Sequence, residues 1–268
     1  MAEPTFDRRA FERRLATRRF GRTLIVRSET PSTNDLGWDA LAAGTPDGTL
    51  VVTDAQPHGR GREGRAWHLA PGKGLALSLV LYQGCDRRQA DTLPLLAGLA
   101  LAHALEALGV DATLKWPNDL LAEGRKLSGI LCESRRSPSG TDAAVIGVGV
   151  NVTQQRDDFP AELRGSATSL ALEGCRTTRE AVAAGFLNAL EPLWVGLQDG
   201  SRDSVLEAWK RRAGFWGQVV TVRTPAGPVT GVARDLSADG GLVLRLEGGG
   251  EVVVLAGDLE VAGRGETP

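Results

Sequence analysis

The chain has 268 residues, 42% of them hydrophobic, and a net charge of −2. That composition supports one large domain, or a large and a small one, around a real core. The charge balance does not imply bulk nucleic-acid binding, no apolar run reaches membrane-spanning length, and the N-terminus MAEPTFDRRAFERRLATRRF lacks the apolar centre of a signal peptide.

The first twenty residues suit one amphipathic helix, with Phe6, Phe11, Leu15 and Phe20 as its sparse apolar positions. Residues 1–22 therefore form an N-terminal helical extension. Thr23–Ser28 reads as a strand. Ser32-Thr33-Asn34-Asp35 follows and can cap a helix through Leu36, Trp38, Leu41 and Ala42. Plain capping explains Ser32 and Thr33; the alternative gives their hydroxyls and the Asn34 amide a polar ligand group as well. Thr49–Asp54 is a β-branched strand leading into Gln56-Pro57-His58-Gly59-Arg60-Gly61-Arg62-Glu63-Gly64-Arg65-Ala66-Trp67.

That loop packs three arginines and three glycines into seven residues. The glycines permit close backbone approach and the guanidinium forks suit carboxylate and phosphate. With so little apolar surface the loop is expected to be mobile until an anion fills it. It spells G-x-G-x-x-G from Gly59 to Gly64, but a dinucleotide fingerprint opens a helix, and Arg-Ala-Trp-His-Leu-Ala-Pro-Gly does not.

Leu75–Tyr82 reads as a buried strand, Gln89–Leu108 as a long helix and Ala112–Trp116 as a strand stopped by Pro117 in Lys115-Trp116-Pro117-Asn118-Asp119. Strands Lys126–Ser134 and Ala143–Val150 flank a Ser-Pro-Ser-Gly turn. The second ends in Gly147-Val148-Gly149-Val150-Asn151, whose alternating glycines suit something packed against the backbone, a ligand or simply a helix. Residues 152–176 are irregular; Thr177–Leu197 and Asp203–Arg212 are helical. After Ala213-Gly214 come short strands, Gln218–Arg223, Val229–Leu236, Leu242–Leu246 and Glu251–Leu255, joined by Gly-rich turns, a small antiparallel barrel.

Four of the 31 basic residues are lysine: Lys73, Lys115, Lys126 and Lys210. Lys115 and Lys126 share one motif-dense stretch, so both are candidates for a chemical role. Cys85, Cys132 and Cys175 fit reduced, mostly buried thiols in the cytoplasm, not a disulfide frame or zinc site. His58, His68 and His103 are scattered, and no Ser-His-Asp or Cys-His set is present.

In order, Ser-Thr-Asn, Gln-x-x-Gly-Arg-Gly-Arg-x-Gly-Arg-x-Trp, Lys-Trp-Pro-Asn-Asp, Gly-Arg-Lys-Leu-x-Gly-Ile-Leu and Gly-Val-Gly-Val-Asn resemble the biotin protein ligases, over roughly residues 23–262. The resemblance implies an α+β fold. A mixed central sheet flanked by helices would occupy 23–213, a C-terminal SH3-like barrel 214–262 and a tail 263–268. It implies synthesis of biotinyl-5′-AMP from biotin and ATP with Mg²⁺, then transfer of biotin to one lysine of a biotin carboxyl carrier protein. By position it puts biotin contacts on Ser32, Thr33, Asn34, Gln56, Arg60, Gly61, Arg62 and Lys126. Nucleotide contacts fall on Arg65, Trp67, Lys115, Asn118, Asp119 and Asn151. It names no protein side chain as a direct metal ligand. Glu63 departs from members with a further arginine there, and the N-terminal DNA-binding domain of the ligase–repressors has no counterpart. The expectation is a cytoplasmic ligase without nucleic-acid or membrane binding, with a homodimer possible through an exposed edge strand.

The chemistry suits these residues. A carboxylate is already a nucleophile, so adenylation needs positioned cations rather than a base, and Arg60, Arg62, Lys115 and Lys126 are the candidates. Asp119 would accept the acceptor lysine's proton or orient its ammonium, unless it only caps the turn after Pro117. Trp67 would be an apolar lid, or an anchor for the loop's end. Gly129 and Ile130 would floor the pocket beneath the acyl chain. Lipoate-type ligation on the same fold, and biotin sensing without transfer, are the alternatives.

Overall fold

A computed structural model describes residues 5–136 and 140–261; the Ser-Pro-Ser part of the predicted turn and the 263–268 tail lie outside them. Among the described residues the elements run α1 (Arg8–Glu12), β1 (Leu24–Glu29), α2 (Thr33–Ala42), β2 (Thr49–Ala55), β3 (Leu75–Leu81), α3 (Leu93–Glu106), β4 (Thr113–Lys115), β5 (Asp119–Ala122), β6 (Arg125–Arg136) and β7 (Asp142–Val150). Then come α4 (Arg179–Gln198), α5 (Arg202–Arg211), β8 (Val219–Thr224), β9 (Gly227–Leu236), β10 (Leu242–Arg245), β11 (Glu251–Val254) and β12 (Asp258–Val261).

Seven strands form a mixed sheet in the order β1-β2-β3-β7-β6-β5-β4, parallel at β1–β2 and antiparallel elsewhere. β3, Leu-Ala-Leu-Ser-Leu-Val-Leu, is buried along its whole length because both faces are covered. α2 lies on one face, with Gly37 admitting Val80 and Val145. α3 and α4 cover the other, where Leu77, Leu79, Ile146 and Val148 join Leu96, Leu99 and Leu190 in the core.

Five antiparallel strands, β11-β10-β9-β8-β12, form the SH3-like sheet. It is anchored to the rest of the chain by a buried bond from Trp116 Nε1, just past β4, to the Gly240 carbonyl (3.0 Å) and by Lys210 Nζ of α5 on Asp235 (2.7 Å). Trp209, Phe215 and Trp216 pack edge and tilt between α5 and the first strand.

The N-terminal segment differs from the single helix predicted: α1 is five residues long. α4 competes for the following backbone. Glu191 accepts the N–H groups of Arg18, Arg19 and Phe20, and Asn188 Oδ1 accepts that of Ala16. Burial pushes the Glu191 carboxyl up, but these three bonds and Arg19 outweigh it and leave its pKa below the usual value. Phe6, Phe11, Leu15 and Phe20 are all buried, which one straight helix would not achieve here. α3 starts later than predicted, after a 3₁₀ turn, with Pro94 in its first turn. Two short strands were not predicted: β5, folded back on β4, and β12, paired with β8.

Candidate active site

β3, β5, β6 and β7 and the N-terminus of α2 enclose a cleft of about 240 Å³ on the α2 face of the sheet. Every site residue nominated by the sequence lines it except Lys115.

One wall is a fixed polar network. Thr33 donates both N–H (2.8 Å) and hydroxyl (3.2 Å) to Gln56 Oε1. Ser78, fully buried at the centre of β3, places its one hydroxyl 2.8 Å from Thr33 Oγ1 and 2.7 Å from Asn34 Oδ1. Asn34 Nδ2 donates to Glu133 Oε2 (2.9 Å) and the Leu131 carbonyl (3.2 Å). Ser32 caps α2 by position without a side-chain capping bond, so its hydroxyl is not used as a cap. Gly147 is needed beneath Asn34, since a Cβ there would lie 2.2 Å from Asn34 Oδ1.

The facing wall is the arginine loop, which closes on itself. Trp67 N–H donates to the Gly59 carbonyl (2.8 Å), Gly61 N–H to that of Arg65 (2.7 Å), and Glu63 (φ 56°) and Gly64 (φ 74°) turn the tip. Its guanidiniums rest on groups from elsewhere in the chain. Arg60 Nη2 is 2.7 Å from Asp35 and 3.4 Å from Glu133; Arg62 Nη1 donates to the Gly257 carbonyl (3.3 Å); Arg65 Nη1 donates to Asp258 Oδ2 (2.9 Å). So the loop predicted to await an anion already has internal partners. Burial lowers the Arg62 pKa below the ordinary arginine value; Glu63, Asp119 and Asp258 pull it back, and Arg65 adds to the lowering. The Trp67 ring lies against Gly129 and Gly149, register partners on β6 and β7, where a Cβ on Gly149 would meet the ring at 2.3 Å.

Lys126 stands at the cleft's end. A bulge at Leu127 shifts the β5–β6 register and turns Lys126 onto the same face as Gly129. Its backbone is clamped by Ser166 and Thr168. Its ammonium lies 2.8 Å from Asp119 Oδ1, off hydrogen-bond alignment, and 6.0 Å from the Trp67 ring. Asp119 is thus a partner of Lys126, a use the sequence did not suggest. Asn118 Nδ2 donates to the Ile130 carbonyl, and Asn151 is bonded to Thr168 and Gln154, so both amides line the cleft while tying its backbone.

Two side chains point elsewhere than the sequence suggested. Lys115, at the end of β4, points its ammonium at Asp258 Oδ1 (3.7 Å). Ile130 sends its side chain to the opposite face, within 3.7 Å of where a Cβ on Gly98 of α3 would sit, leaving Gly129 as the floor. The cysteines are free and partly buried; burial raises each thiol pKa, that of Cys85 to about 12.

Residues 26–151 match the profile of the Biotin/lipoate A/B protein ligase family, and residues 215–261 that of the Biotin protein ligase C terminal domain. The biotin–[acetyl-CoA-carboxylase] ligase of Mycobacterium tuberculosis is 35% identical over 265 residues, 96% of each chain. The chain belongs to the biotin protein ligase family. A bifunctional ligase/repressor of Bacillus spizizenii is 34% identical over 237 residues, 88% of this chain and 73% of that protein. Among solved structures, the biotin protein ligase of Aquifex aeolicus in complex with biotin and ATP has a TM-score of 0.76 at 29% identity, covering 89% of this chain and 98% of its own. The first profile match encloses every cleft residue nominated above; Gly257 and Asp258 fall in the second.

Ser78, Glu133 and Asp258 went unnoticed in the sequence. Ser78 is a hydroxyl inside an otherwise apolar strand, and that one oddity was a readable signal. Glu133 and Asp258 carried none, because many acidic residues look alike until the sheet register and the barrel's seat are known.

Proposed function

We propose that this chain is an ATP-dependent biotin protein ligase: it joins biotin to ATP as biotinyl-5′-AMP and passes biotin to a lysine of a biotin carboxyl carrier protein. The observation that carries the reading is the pairing, across one cleft, of a buried neutral hydrogen-bonding wall with a cationic wall.

The ureido ring of biotin is neutral and rich in donors and acceptors, which are costly to bury unpaired. Ser32, Thr33, Asn34 and Gln56 offer fixed groups of both kinds, and Gly129 and Gly149 leave room for the apolar part. The biotin carboxylate and the α-phosphate are both anionic, repelling by about 4 kcal/mol at 4 Å even with an effective dielectric near 20. Arg60, Arg62 and Lys126 bring positive charge to that meeting point before the reaction starts. The carboxylate attacks the α-phosphorus, pyrophosphate leaves, and no proton moves. In transfer, the carrier's neutral lysine amine attacks the biotinyl carbonyl, the acyl–phosphate bond breaks, and AMP leaves with the proton the amine sheds. Asp119, held against Lys126, keeps that ammonium aimed at the acyl phosphate. Trp67 and the loop shield the anhydride from water.

Among the described residues no group of three or more His, Cys, Asp or Glu side chains is gathered to cage a metal. The donors present suit a magnesium ion that travels with the nucleotide, phosphate and water filling most of its shell, with Asp119 the carboxylate of the cleft. Such an ion supplies charge neutralisation at the phosphates. Among the described residues β1 pairs with β2 alone, and its outer edge offers the carrier a strand-like docking face. No helix among the described residues is long and apolar enough to cross a membrane.

The test mixes protein, radiolabelled biotin, ATP and a carrier domain. Label on the carrier lysine is the expected result. Label retained as adenylate but never transferred identifies a sensor, and preference for lipoate identifies the related acyl ligase.

A further inference from the structure

The Gly257–Asp258 step, where the barrel meets the arginine loop, has no part in the reaction just described. Three cations from two distant segments nonetheless converge on it: Arg62 on the Gly257 carbonyl, Arg65 on Asp258 Oδ2 at 2.9 Å and Lys115 on Asp258 Oδ1 at 3.7 Å. The step is built for this position. Gly257 has φ 150°, and a Cβ there would lie 2.5 Å from Val222 Cγ1 and 2.6 Å from the Arg223 carbonyl. Only a glycine brings the chain so close to β8 before Asp258 starts β12.

The same guanidinium and ammonium groups are the ones a polyphosphate would seek. They are also exchangeable: the Arg65 side chain is 49% exposed, Asp258 29% and Lys115 26%. Ion pairs with that much solvent contact are weak and yield readily to a ligand of higher charge.

Resting on the ligase reading, we propose that Asp258 is a positioning residue for the nucleotide: in the nucleotide-free protein its carboxylate stands in for phosphate on Arg65 and Lys115, and the incoming polyphosphate displaces it. The barrel thereby holds the loop near its working place while leaving its cations available by exchange. Loop ordering and ATP affinity are linked through one carboxylate, and biotin affinity is not.

Asp258→Asn keeps the shape and removes the competitor. ATP binding is measured by calorimetry in the presence of biotinol, the alcohol analogue of biotin, alongside KM and kcat for pyrophosphate release. The expected result is ATP binding tighter by about three- to fivefold, the scale of such ion pairs. The KM for ATP should fall with it, and biotin affinity should stay unchanged. Without nucleotide, trypsin should cut Asp258→Asn faster than wild type after Arg60, Arg62 or Arg65, with ATP restoring protection; Asp258→Glu should return both readouts to wild type. Unchanged or weaker ATP binding in Asp258→Asn overturns the proposal, as does unchanged loop cleavage. Wild-type protein that releases no pyrophosphate with biotin and ATP would instead overturn the ligase reading, and the tryptic result would still decide whether Asp258 holds the loop.

Discussion

The two walls of the cleft solve different recognition problems in different ways. The polar wall is buried, neutral and self-bonded: Ser78 at 0% exposure and Thr33 and Asn34 at 4% and 3% sit on sheet and helix backbone that has no freedom to adjust. The arginine loop is exposed and charged, and its guanidiniums lean on Asp35, Glu133, Gly257 and Asp258. A neutral ligand gains little from long-range attraction, so it needs donors and acceptors already in place. An anion can recruit cations from partners they hold weakly. Glu133 joins the two walls, binding Asn34 and Trp38 with one oxygen and facing Arg60 with the other.

Substitutions can break or sharpen that contrast. The largest effect is expected where the walls meet. Lys126→Ala should cut adenylation by roughly 10²–10³, the worth of a preorganised charge at a developing anion. Its thermal midpoint should stay within a few degrees of wild type, because the side chain is partly exposed; retained pyrophosphate release would remove Lys126 from the reaction.

Next comes the rigid wall. Gly147→Ala drives a methyl into Asn34 Oδ1 at 2.2 Å. Overpacking of this kind costs about 2 kcal/mol, near thirtyfold. If the wall recognises biotin, that loss should appear in the biotin KM and leave the ATP KM in place; an equal rise in both would mean the walls are not separate devices.

A milder loss is expected from the exchangeable wall. Arg62→Gly should speed escape of the adenylate roughly tenfold, about the value of one charge-assisted hydrogen bond. The escape is read as biotin appearing on unrelated lysines of a bystander protein. Retention equal to wild type would take Arg62 out of the lid.

Ser78→Ala should have the smallest effect, about 1–2 kcal/mol of stability from a buried network left short of a donor. It should bring a few-fold rise in biotin KM and none for ATP. Denaturant melts and paired kinetics check it.

Much of the molecule was legible in the chain itself. The helix start at Ser32–Asn34, the loop from Gln56 to Trp67, the glycine strand before Asn151 and the change of grammar near residue 214 depend on residues close in sequence. Local sterics, periodicity and charge act over that range, so they leave readable patterns. What tertiary structure alone decided was where each charge points. The bulge at Leu127 aims Lys126 into the cleft, docking of the barrel draws Lys115 away to Asp258, and the pull of α4 shortens the N-terminal helix to five residues. Ser78 meets Asn34 across 44 positions and Arg65 meets Asp258 across 193. Contacts over such distances depend on register and on the packing of whole elements, which no short stretch of residues contains.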